Sequence, residues 1–214
     1  MALCSAFDRL LQSDQPLAEL DALIWKTLCG GAESSQHPWN LGTFSTIDLP
    51  DGTIPHPKCR TVVLRHADPP RRAIDFYTDV RSDKIDQLDA AGSPAPVCWL
   101  FYDPASKIQL RLDGTAEVID RDQADEAWRQ TTPDSRASYL SICPPGERVN
   151  DPQPPSTTDR FVTREESERG RENFRIVRTT VRHADWLYLR RRGHVRSVID
   201  YEAAGGIDAF WVVP

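Results

Sequence analysis

The sequence predicts a mainly β, α+β domain, built as a small antiparallel β-barrel with helical additions. Short runs rich in β-branched and aromatic residues recur from residue 41 onward, separated by turns that contain Asp-Gly or Pro. Helical periodicity is confined to the first 33 residues and to a few short segments between strands. With 214 residues, 39% of them hydrophobic, the chain is long enough for one domain with a sizeable core.

The N-terminal segment, residues 1–33, is predicted to be helical. Leu20, Ile24 and Leu28 recur at helix spacing, and other leucines extend the same stripe. The two glycines at 30–31 are expected to end this helix, because glycine is a common helix terminator.

The rest of the chain, residues 34–214, is predicted to be the barrel domain. Its strands are expected at residues 41–47, 60–65, 73–78, 97–102, 108–119, 174–182, 186–191, 194–201 and 209–213. Short helices are expected at residues 83–91, 122–130 and 135–141. The two strands on either side of the 103–106 turn are close enough in sequence to favour antiparallel pairing. Residues 143–172 are rich in proline and poor in aliphatic residues, which predicts a loop or lid.

Composition argues against several partners. The net charge is -6 and the pI is about 5.4, so neither duplex nucleic acid nor an anionic membrane surface is favoured. No apolar run approaches the ~20 residues that span a bilayer, and Asp8 and Arg9 interrupt the start before a signal-peptide core could form. Five cysteines without a metal-ligand spacing suit reduced thiols, so we expect a cytoplasmic protein without a metal site.

Four polar side chains lie where two strands meet a helix. Arg60 opens one predicted strand, Thr78 closes the next, and Ser82 and Lys84 begin the following helix. A helix N-terminus offers free N–H groups and positive potential, to which these side chains add hydroxyls and charge. The set predicts a site for a phosphate monoester. The alternative is an ordinary helix cap with surface charges.

A second basic pattern lies near the C-terminus. Arg192, His194 and Arg196 alternate along a predicted strand, so their side chains are expected to share one face, with Trp186 a few residues upstream. Guanidinium groups bind carboxylates and phosphates and stack on rings, so this face suits a flat, anionic, aromatic ligand. The alternative is the solvated face of an exposed strand.

Taken in order, these pieces resemble a known family. R-T-V-V-L-R at 60–65, F-Y-T at 76–78, S-D-K at 82–84, I-Q-L at 108–110 and R-G-H-V-R at 192–196 follow the order of the pyridoxamine 5′-phosphate oxidase family of FMN-binding split barrels. The resemblance covers roughly residues 40–140 and 174–214. It implies an FMN-binding split β-barrel, FMN as cofactor, and a homodimer with FMN at its interface.

The resemblance also assigns roles to individual residues. It implies an FMN site formed by Arg60, Thr61, Val62, Val63, Leu64, Tyr77, Thr78, Ser82, Lys84 and Gln109, with Trp186 and Arg196 reaching the flavin from the partner subunit. Within this set the cations and hydroxyls hold the phosphate, and the strand that begins at Arg60 lines the ring. Arg192 and His194 are implied as catalytic residues over the substrate ring. The substrate side is completed by Arg65, Trp128 and Ser135.

Some positions depart from the family pattern. Asp83 stands where the family has a basic residue, Trp128 replaces a tyrosine, and the arginine expected beside Thr132 is missing. The flavin site is therefore expected to be retained while the substrate-phosphate site is degraded. The implied activity is oxidation of pyridoxamine or pyridoxine 5′-phosphate, with hydride transfer to FMN and reoxidation by oxygen. The alternatives are a flavin reductase-like or carrier protein for another small molecule, and a non-catalytic split-barrel binding module.

Overall fold

The computed structural model describes residues 7–50, 52–150, 162–191, 193–202 and 205–214. These residues contain nine strands: β1 (Leu41–Asp48), β2 (His56–Val63), β3 (His66–Asp68), β4 (Ala73–Asp79), β5 (Ala95–Asp103), β6 (Ile108–Ile119), β7 (Phe174–Tyr188), β8 (Val195–Tyr201) and β9 (Ile207–Val212). The α-helices are α1 (Pro16–Glu33), α2 (Asp83–Ala90), α3 (Arg121–Gln130), α4 (Pro133–Arg136) and α5 (Arg164–Ser167). Residues 7–10 are also helical.

All strands belong to one antiparallel sheet, ordered β2-β1-β5-β6-β7-β4-β3. Strand β7 organises it, because one of its edges pairs with β6 along most of its length. Its other edge pairs first with β4 and then with β8, which carries β9. A register shift at Asp113 and Gly114 bends β6 at that point. A Cβ on Gly114 would lie 2.2 Å from the carbonyl oxygen of Thr180, so β6 can approach β7 this closely only with a glycine at this position.

The mainly antiparallel β class with helices is confirmed, and the β5–β6 pairing is antiparallel as predicted. The two strands predicted at 174–182 and 186–191 are in fact the single strand β7, because no glycine or proline interrupts the intervening residues. Strand β2 begins four residues earlier than expected, at His56, because it pairs with the whole of β1. The stretch 143–172 is not loop throughout: helix α5 and a 3₁₀ turn at Glu168–Glu172 lie in it, and residues 151–161 are outside the described part.

The core is filled by aromatic side chains from the inner face of the sheet. Phe44, Phe76 and Trp99 are fully buried, with ring centroids 4.7–5.6 Å apart in tilted and edge-to-face pairs. Such pairs stabilise a fold by about 0.5–1.5 kcal/mol beyond their buried area. Helix α1 covers one end of this core with Ile24 and Leu28, both fully buried.

The prediction that glycines 30–31 end the first helix is wrong. Both lie inside α1, which continues to Glu33. Close packing accounts for the glycine at position 31, since a Cβ on Gly31 would lie 2.7 Å from the carbonyl oxygen of Trp39. The first six residues of the predicted helical segment lie outside the described part; residues 7–10 are helical, residues 11–15 are not, and α1 starts at Pro16. No helix in the described ranges is long and apolar enough to span a membrane.

A buried ionic network fastens α1 to the sheet. The Arg72 guanidinium pairs with the Asp21 carboxylate at 3.0 Å, and the Tyr201 hydroxyl donates to the same carboxylate at 2.7 Å. The Trp25 indole N–H in turn donates to that hydroxyl at 3.1 Å. The N-terminal helix, the β3–β4 connection and the end of β8 are therefore joined by one set of hydrogen bonds.

Candidate functional site

The four residues predicted to hold a phosphate come together at the N-terminus of α2. Lys84 Nζ donates to Thr78 Oγ1 at 3.0 Å and also to the Ser82 hydroxyl. Ser82 stands at the N-cap of α2, yet its side chain makes no capping hydrogen bond there. Its oxygen is therefore turned to the lysine, and the lysine, the two hydroxyls and the helix N-terminus form one polar cluster.

Arg60 approaches this cluster from β2. Its guanidinium donates to Thr46 Oγ1 at 2.7 Å and to Gln87 Oε1 at 2.8 Å. Both acceptors are neutral and buried. Thr46 also donates to Gln87 Oε1 at 2.6 Å. The two side chains that accept from the guanidinium are therefore joined to each other by a hydrogen bond. Neither Thr46 nor Gln87 was predicted as a site residue, because nothing local in the sequence distinguishes a strand threonine or a helix glutamine.

Among the described residues, the two cations Arg60 and Lys84 have no ion-pair partner. No carboxylate lies within ion-pair distance of Arg60 or Lys84 in the part of the chain that the structure describes. Burial, and then the nearby Arg60 charge, lower the pKa of Lys84, although Asp79 and Asp83 oppose this. Burial likewise lowers the pKa of Arg60. Two partly buried cations this close together suit an anion from outside the chain.

A cavity of about 350 Å³ opens in front of these cations. Arg60, Ser82 and Lys84 line its floor, and the Pro145–Gly146 turn forms a wall. Part of the predicted 143–172 loop therefore borders the site. Gly146 lies beside the Asp83 carboxylate, which is exposed at the rim. The donors present are an ammonium, a guanidinium and hydroxyls, which is the donor set that a phosphate monoester requires. These residues therefore fit the phosphate of FMN.

Other predicted flavin residues lie on the outer face of the sheet. Thr61 is paired in register with Thr43 and Gln109 with Leu187, and Leu187 is paired with Arg196. Paired residues in neighbouring strands share a face. This outer face therefore carries Thr61, Val63, Gln109 and Arg196, whereas Arg60, Val62 and Leu64 point to the opposite side of β2.

Arg196 is held by a carboxylate. Its Nε and Nη2 atoms bind the two oxygens of Asp185 at 2.9 and 2.7 Å. Arg111 Nη2 lies 2.9 Å from the same carboxylate, whose side chain is only 3% exposed. Burial acts to raise the pKa of Asp185, but the hydrogen bond and charge of Arg196, with Arg111 and His183, outweigh it and lower this pKa. Asp185 and Arg111 were not predicted as site residues.

Trp186 is not brought to the outer face. It is fully buried on the inner face, with its ring centroid 5.2 Å from that of Phe7. Its indole nitrogen has no hydrogen-bond partner among the described residues. The expectation that Trp186 and Arg196 both reach the partner's flavin finds no support for Trp186, because the β7–β8 register puts the two side chains on opposite faces and Trp186 is fully buried. His194 is exposed just before β8, and Arg192 lies outside the described residues.

Arg65, Ser135 and Trp128, which were predicted for the substrate side and lie in the described part of the chain, do not share a contact. Arg65 is exposed, and its guanidinium carbon lies 5.6 Å from the centre of the half-buried Tyr77 ring. Ser135 is exposed and bonded to Thr132, at the start of the short helix α4.

Trp128 is 2% exposed, so it has almost no surface to offer a substrate. Its indole N–H donates to Glu168 Oε2 at 2.9 Å, and the fully buried Arg136 covers its ring at 4.4 Å. Arg136 binds Glu168 Oε1 at 2.5 Å, so its charge is neutralised within the fold. The predicted substrate contact at Trp128 therefore finds no support in the structure, where packing with Glu168 and Arg136 accounts for the residue.

Comparison with known proteins supports the same family. The family described as "Pyridoxamine 5'-phosphate oxidase, FMN-binding domain" matches residues 23–120. The pyridoxine/pyridoxamine 5'-phosphate oxidase 2 of Arabidopsis thaliana is 34% identical over 140 residues, which cover 60% of this chain and 67% of that protein. The pyridoxine/pyridoxamine 5'-phosphate oxidase of Pseudomonas paraeruginosa is 34% identical over 94 residues, or 44% of this chain and 39% of that protein.

Solved structures share the fold. A pyridoxamine 5'-phosphate oxidase-related, FMN binding protein from Nostoc punctiforme aligns with a TM-score of 0.66 at 20% identity, covering 90% of this chain and 96% of that one. PhzG from Burkholderia lata aligns with a TM-score of 0.61 at 16% identity, covering 90% of each chain. At these identities the likeness concerns the fold, which is the FMN-binding split barrel. The chain belongs to the pyridoxamine 5′-phosphate oxidase family of FMN-binding split-barrel proteins, and its cofactor is FMN.

Proposed function

We propose that this protein is an FMN-dependent oxidase of pyridoxamine and pyridoxine 5′-phosphate or a closely similar pyridine. The observation that carries the proposal is the pair Arg60 and Lys84, which face a cavity together without a carboxylate partner in the described chain. FMN, when bound, accepts a hydride from the substrate carbon and returns the electrons to oxygen, giving peroxide. The protein's own residues bind, orient and shield the reactants.

The phosphate of FMN is proposed to lie between Lys84, Arg60 and the N-terminus of α2. Thr78 and Ser82 hold the ammonium group in place, while Thr46 and Gln87 hold the guanidinium. Because both heads are already positioned, little side-chain freedom is lost when the anion binds. The flavin ring is proposed to run along β2, beside residues 61–64.

The substrate is proposed to stack near Arg192 and His194, which act as the residues that touch it. Arg192 would stabilise the negative charge that the flavin would gain on taking up the hydride, and His194 would bind the phenolic oxygen of the substrate ring. Arg65 supplies an exposed cation on the substrate side, near Tyr77. Trp128 and Arg136 are excluded from this role because both are buried against Glu168.

A homodimer is part of this proposal. The outer sheet face exposes apolar side chains on β1, β5 and β9, among them Leu41 at 55%, Leu100 at 37%, Tyr102 at 46% and Phe210 at 40%. Exposed apolar side chains of this kind on one sheet face suit an interaction surface. A second copy on this face would bring its Arg196 to the neighbouring flavin.

The dimer is tested by a charge on the face. Leu41→Glu is expected to give a monomer by analytical ultracentrifugation, because the carboxylate would be buried beside the apolar Val63, with which Leu41 is paired. Ile54→Glu is the control, since Ile54 is 62% exposed in the loop that joins β1 and β2. A wild-type chain that is monomeric and fully loaded with FMN would contradict the dimer.

The activity is tested by turnover. We expect purified protein to be yellow, and expect pyridoxamine 5′-phosphate to bleach the flavin without oxygen and to yield peroxide with oxygen. We expect saturation to need a high substrate concentration. Of the described residues predicted to bind the substrate phosphate, Arg65 is an exposed cation, whereas Trp128 is buried. Absence of bleaching at millimolar substrate would contradict the oxidase.

The burial of Trp128 favours a second candidate. Without a full substrate-phosphate site, the protein would act as a flavin reductase-like enzyme or flavin carrier for another small molecule. Reduction of the bound flavin by NADH or NADPH, with no bleaching by pyridoxamine 5′-phosphate, would identify that function. We also propose a cytoplasmic location, supported by unpaired thiols at Cys29, Cys59, Cys98 and Cys143.

A further inference from the structure

Asp185 is a buried carboxylate on the outer face of the sheet that packing does not require. Asp185 lies on β7, between Arg111 on β6 and Val198 on β8 in the cross-strand register. The neighbours Leu100 and Leu187 on the same face are apolar. An aliphatic residue at position 185 would fill this place without the cost of removing a carboxylate from water. A buried charge in such a place needs a reason other than packing.

The contacts of Asp185 fix the orientation of the Arg196 side chain. Arg196 binds it through both Nε and Nη2, which fixes the plane of the guanidinium. Nη1 of Arg196 has no protein partner in the described part of the chain, so it remains available to another ligand. Arg111 holds the carboxylate from the other side and is itself 3.4 Å from Asp113. The Nε atom of Arg111 is buried and lacks a hydrogen bond among the described groups.

We infer that Asp185 is a positioning residue that, braced by Arg111, holds Arg196 in the orientation in which it binds the flavin of the partner subunit. This inference rests on the proposed homodimer with FMN at its interface. It assigns Asp185 and Arg111 an effect on FMN binding that is transmitted through Arg196. The arginine side chain is flexible by nature, and the bidentate pair removes that freedom before the flavin arrives.

Positioning and simple charge predict opposite results for Asp185→Asn. The substitution removes a negative charge close to an anionic cofactor. If Asp185 acted by its charge alone, FMN would bind more tightly to the variant. If it positions Arg196, FMN is expected to bind at least tenfold more weakly, or about 1.4 kcal/mol.

The experiment measures FMN affinity by quenching of flavin fluorescence in the dimeric protein. Wild type, Asp185→Asn, Arg196→Ala and the double variant form one cycle. We expect Asp185→Asn to weaken binding in the wild-type background and to have no further effect once Arg196 is alanine. A merely structural role for Asp185 would weaken binding equally in both backgrounds, and that outcome would overturn the inference. Asp208→Asn is the control, because Asp208 is an exposed aspartate on the same face, in β9.

A second variant keeps the inference testable if Asp185→Asn does not fold. Arg196→Lys retains the charge but lacks the fork that binds both oxygens of Asp185. We expect it to lose FMN affinity about as much as Arg196→Ala, and wild-type affinity would overturn the inference. The wild-type titration separates the two proposals. If wild type does not bind FMN as a dimer, the proposed function fails; if it does and Asp185→Asn binds equally well, the positioning role alone fails.

Discussion

Replacing Lys84 with methionine should weaken FMN binding while making the cofactor-free protein more stable. The lysine is partly buried, is bonded to hydroxyls rather than carboxylates, and lies close to Arg60. Its charge is therefore unfavourable in the empty fold and favourable only when an anion is present. Methionine has a similar length and no charge, so it removes the repulsion and keeps most of the packing.

The magnitude follows from the contact that is lost. A hydrogen bond to a charged group contributes about 1.5–3 kcal/mol, so Kd for FMN should rise roughly 10- to 150-fold. If Arg60 is also replaced with alanine, we expect the protein to remain folded and to purify without FMN. The melting temperature of cofactor-free Lys84→Met should be higher than that of wild type. Lys26→Met is the control, because Lys26 is exposed on α1 and should leave FMN affinity unchanged.

The pH dependence of stability gives an independent check. Burial, reinforced by Arg60, lowers the pKa of Lys84 from its ordinary 10.5, so the unfolded chain holds this proton more tightly than the folded one. The penalty of charging the buried lysine is thus present at neutral pH and is relieved as pH rises toward 10.5. In that window this group makes cofactor-free wild type more stable with rising pH, and Lys84→Met should lack the contribution. Wild-type FMN affinity and an unchanged melting temperature in Lys84→Met would refute this reasoning.

Three further predictions concern the pocket rim and the fold. Asp83→Asn should tighten FMN binding up to about fivefold in a fluorescence titration, because it removes an exposed carboxylate from the cavity rim, where a charge interaction contributes about 0.2–1 kcal/mol. Weaker binding would contradict this. Gly31→Ala should lower the free energy of unfolding, measured in urea, by about 1–3 kcal/mol, since its Cβ would lie 2.7 Å from a backbone oxygen. Gly30→Ala is the control: its Cβ would meet only ordinary contacts at 3.6 Å, so the change should be neutral or stabilising. Tyr201→Phe should cost about 1–3 kcal/mol in the same assay by leaving the buried Asp21 short of a donor, and an unchanged midpoint would be evidence against the network.

The grouping of Thr78, Ser82 and Lys84 was predictable because its signals are local. A strand that ends Phe-Tyr-Thr-Asp and a helix that begins Ser-Asp-Lys are visible within a few residues, and the turn between them is short. The supporting residues were not predictable. Thr46 and Gln87 meet Arg60 through the pairing of β1 with β2 and the docking of α2, which no local pattern specifies.

Where the sequence predictions failed, tertiary packing had overridden local preference. The Gly-Gly pair stays inside α1 because the helix must pass close to Trp39, although glycine ordinarily favours a helix end. Alternation predicted that Arg192, His194 and Arg196 share one face, but of these three only Arg196 lies in β8, His194 lies just before it, and Arg192 is outside the described residues. It gave no information on the buried Asp185 that binds Arg196, because that contact depends on the register between β7 and β8.

The account's central claim is that Arg60 and Lys84 form the site that holds the phosphate of FMN. The most direct test compares FMN with riboflavin, which has the same ring and lacks the phosphate, in titrations of the wild-type protein. The two cations and the helix N-terminus predict that FMN binds at least about 100-fold more tightly, since charge-assisted contacts of about 1.5–3 kcal/mol each are lost with riboflavin. Equal affinities for FMN and riboflavin would contradict the claim.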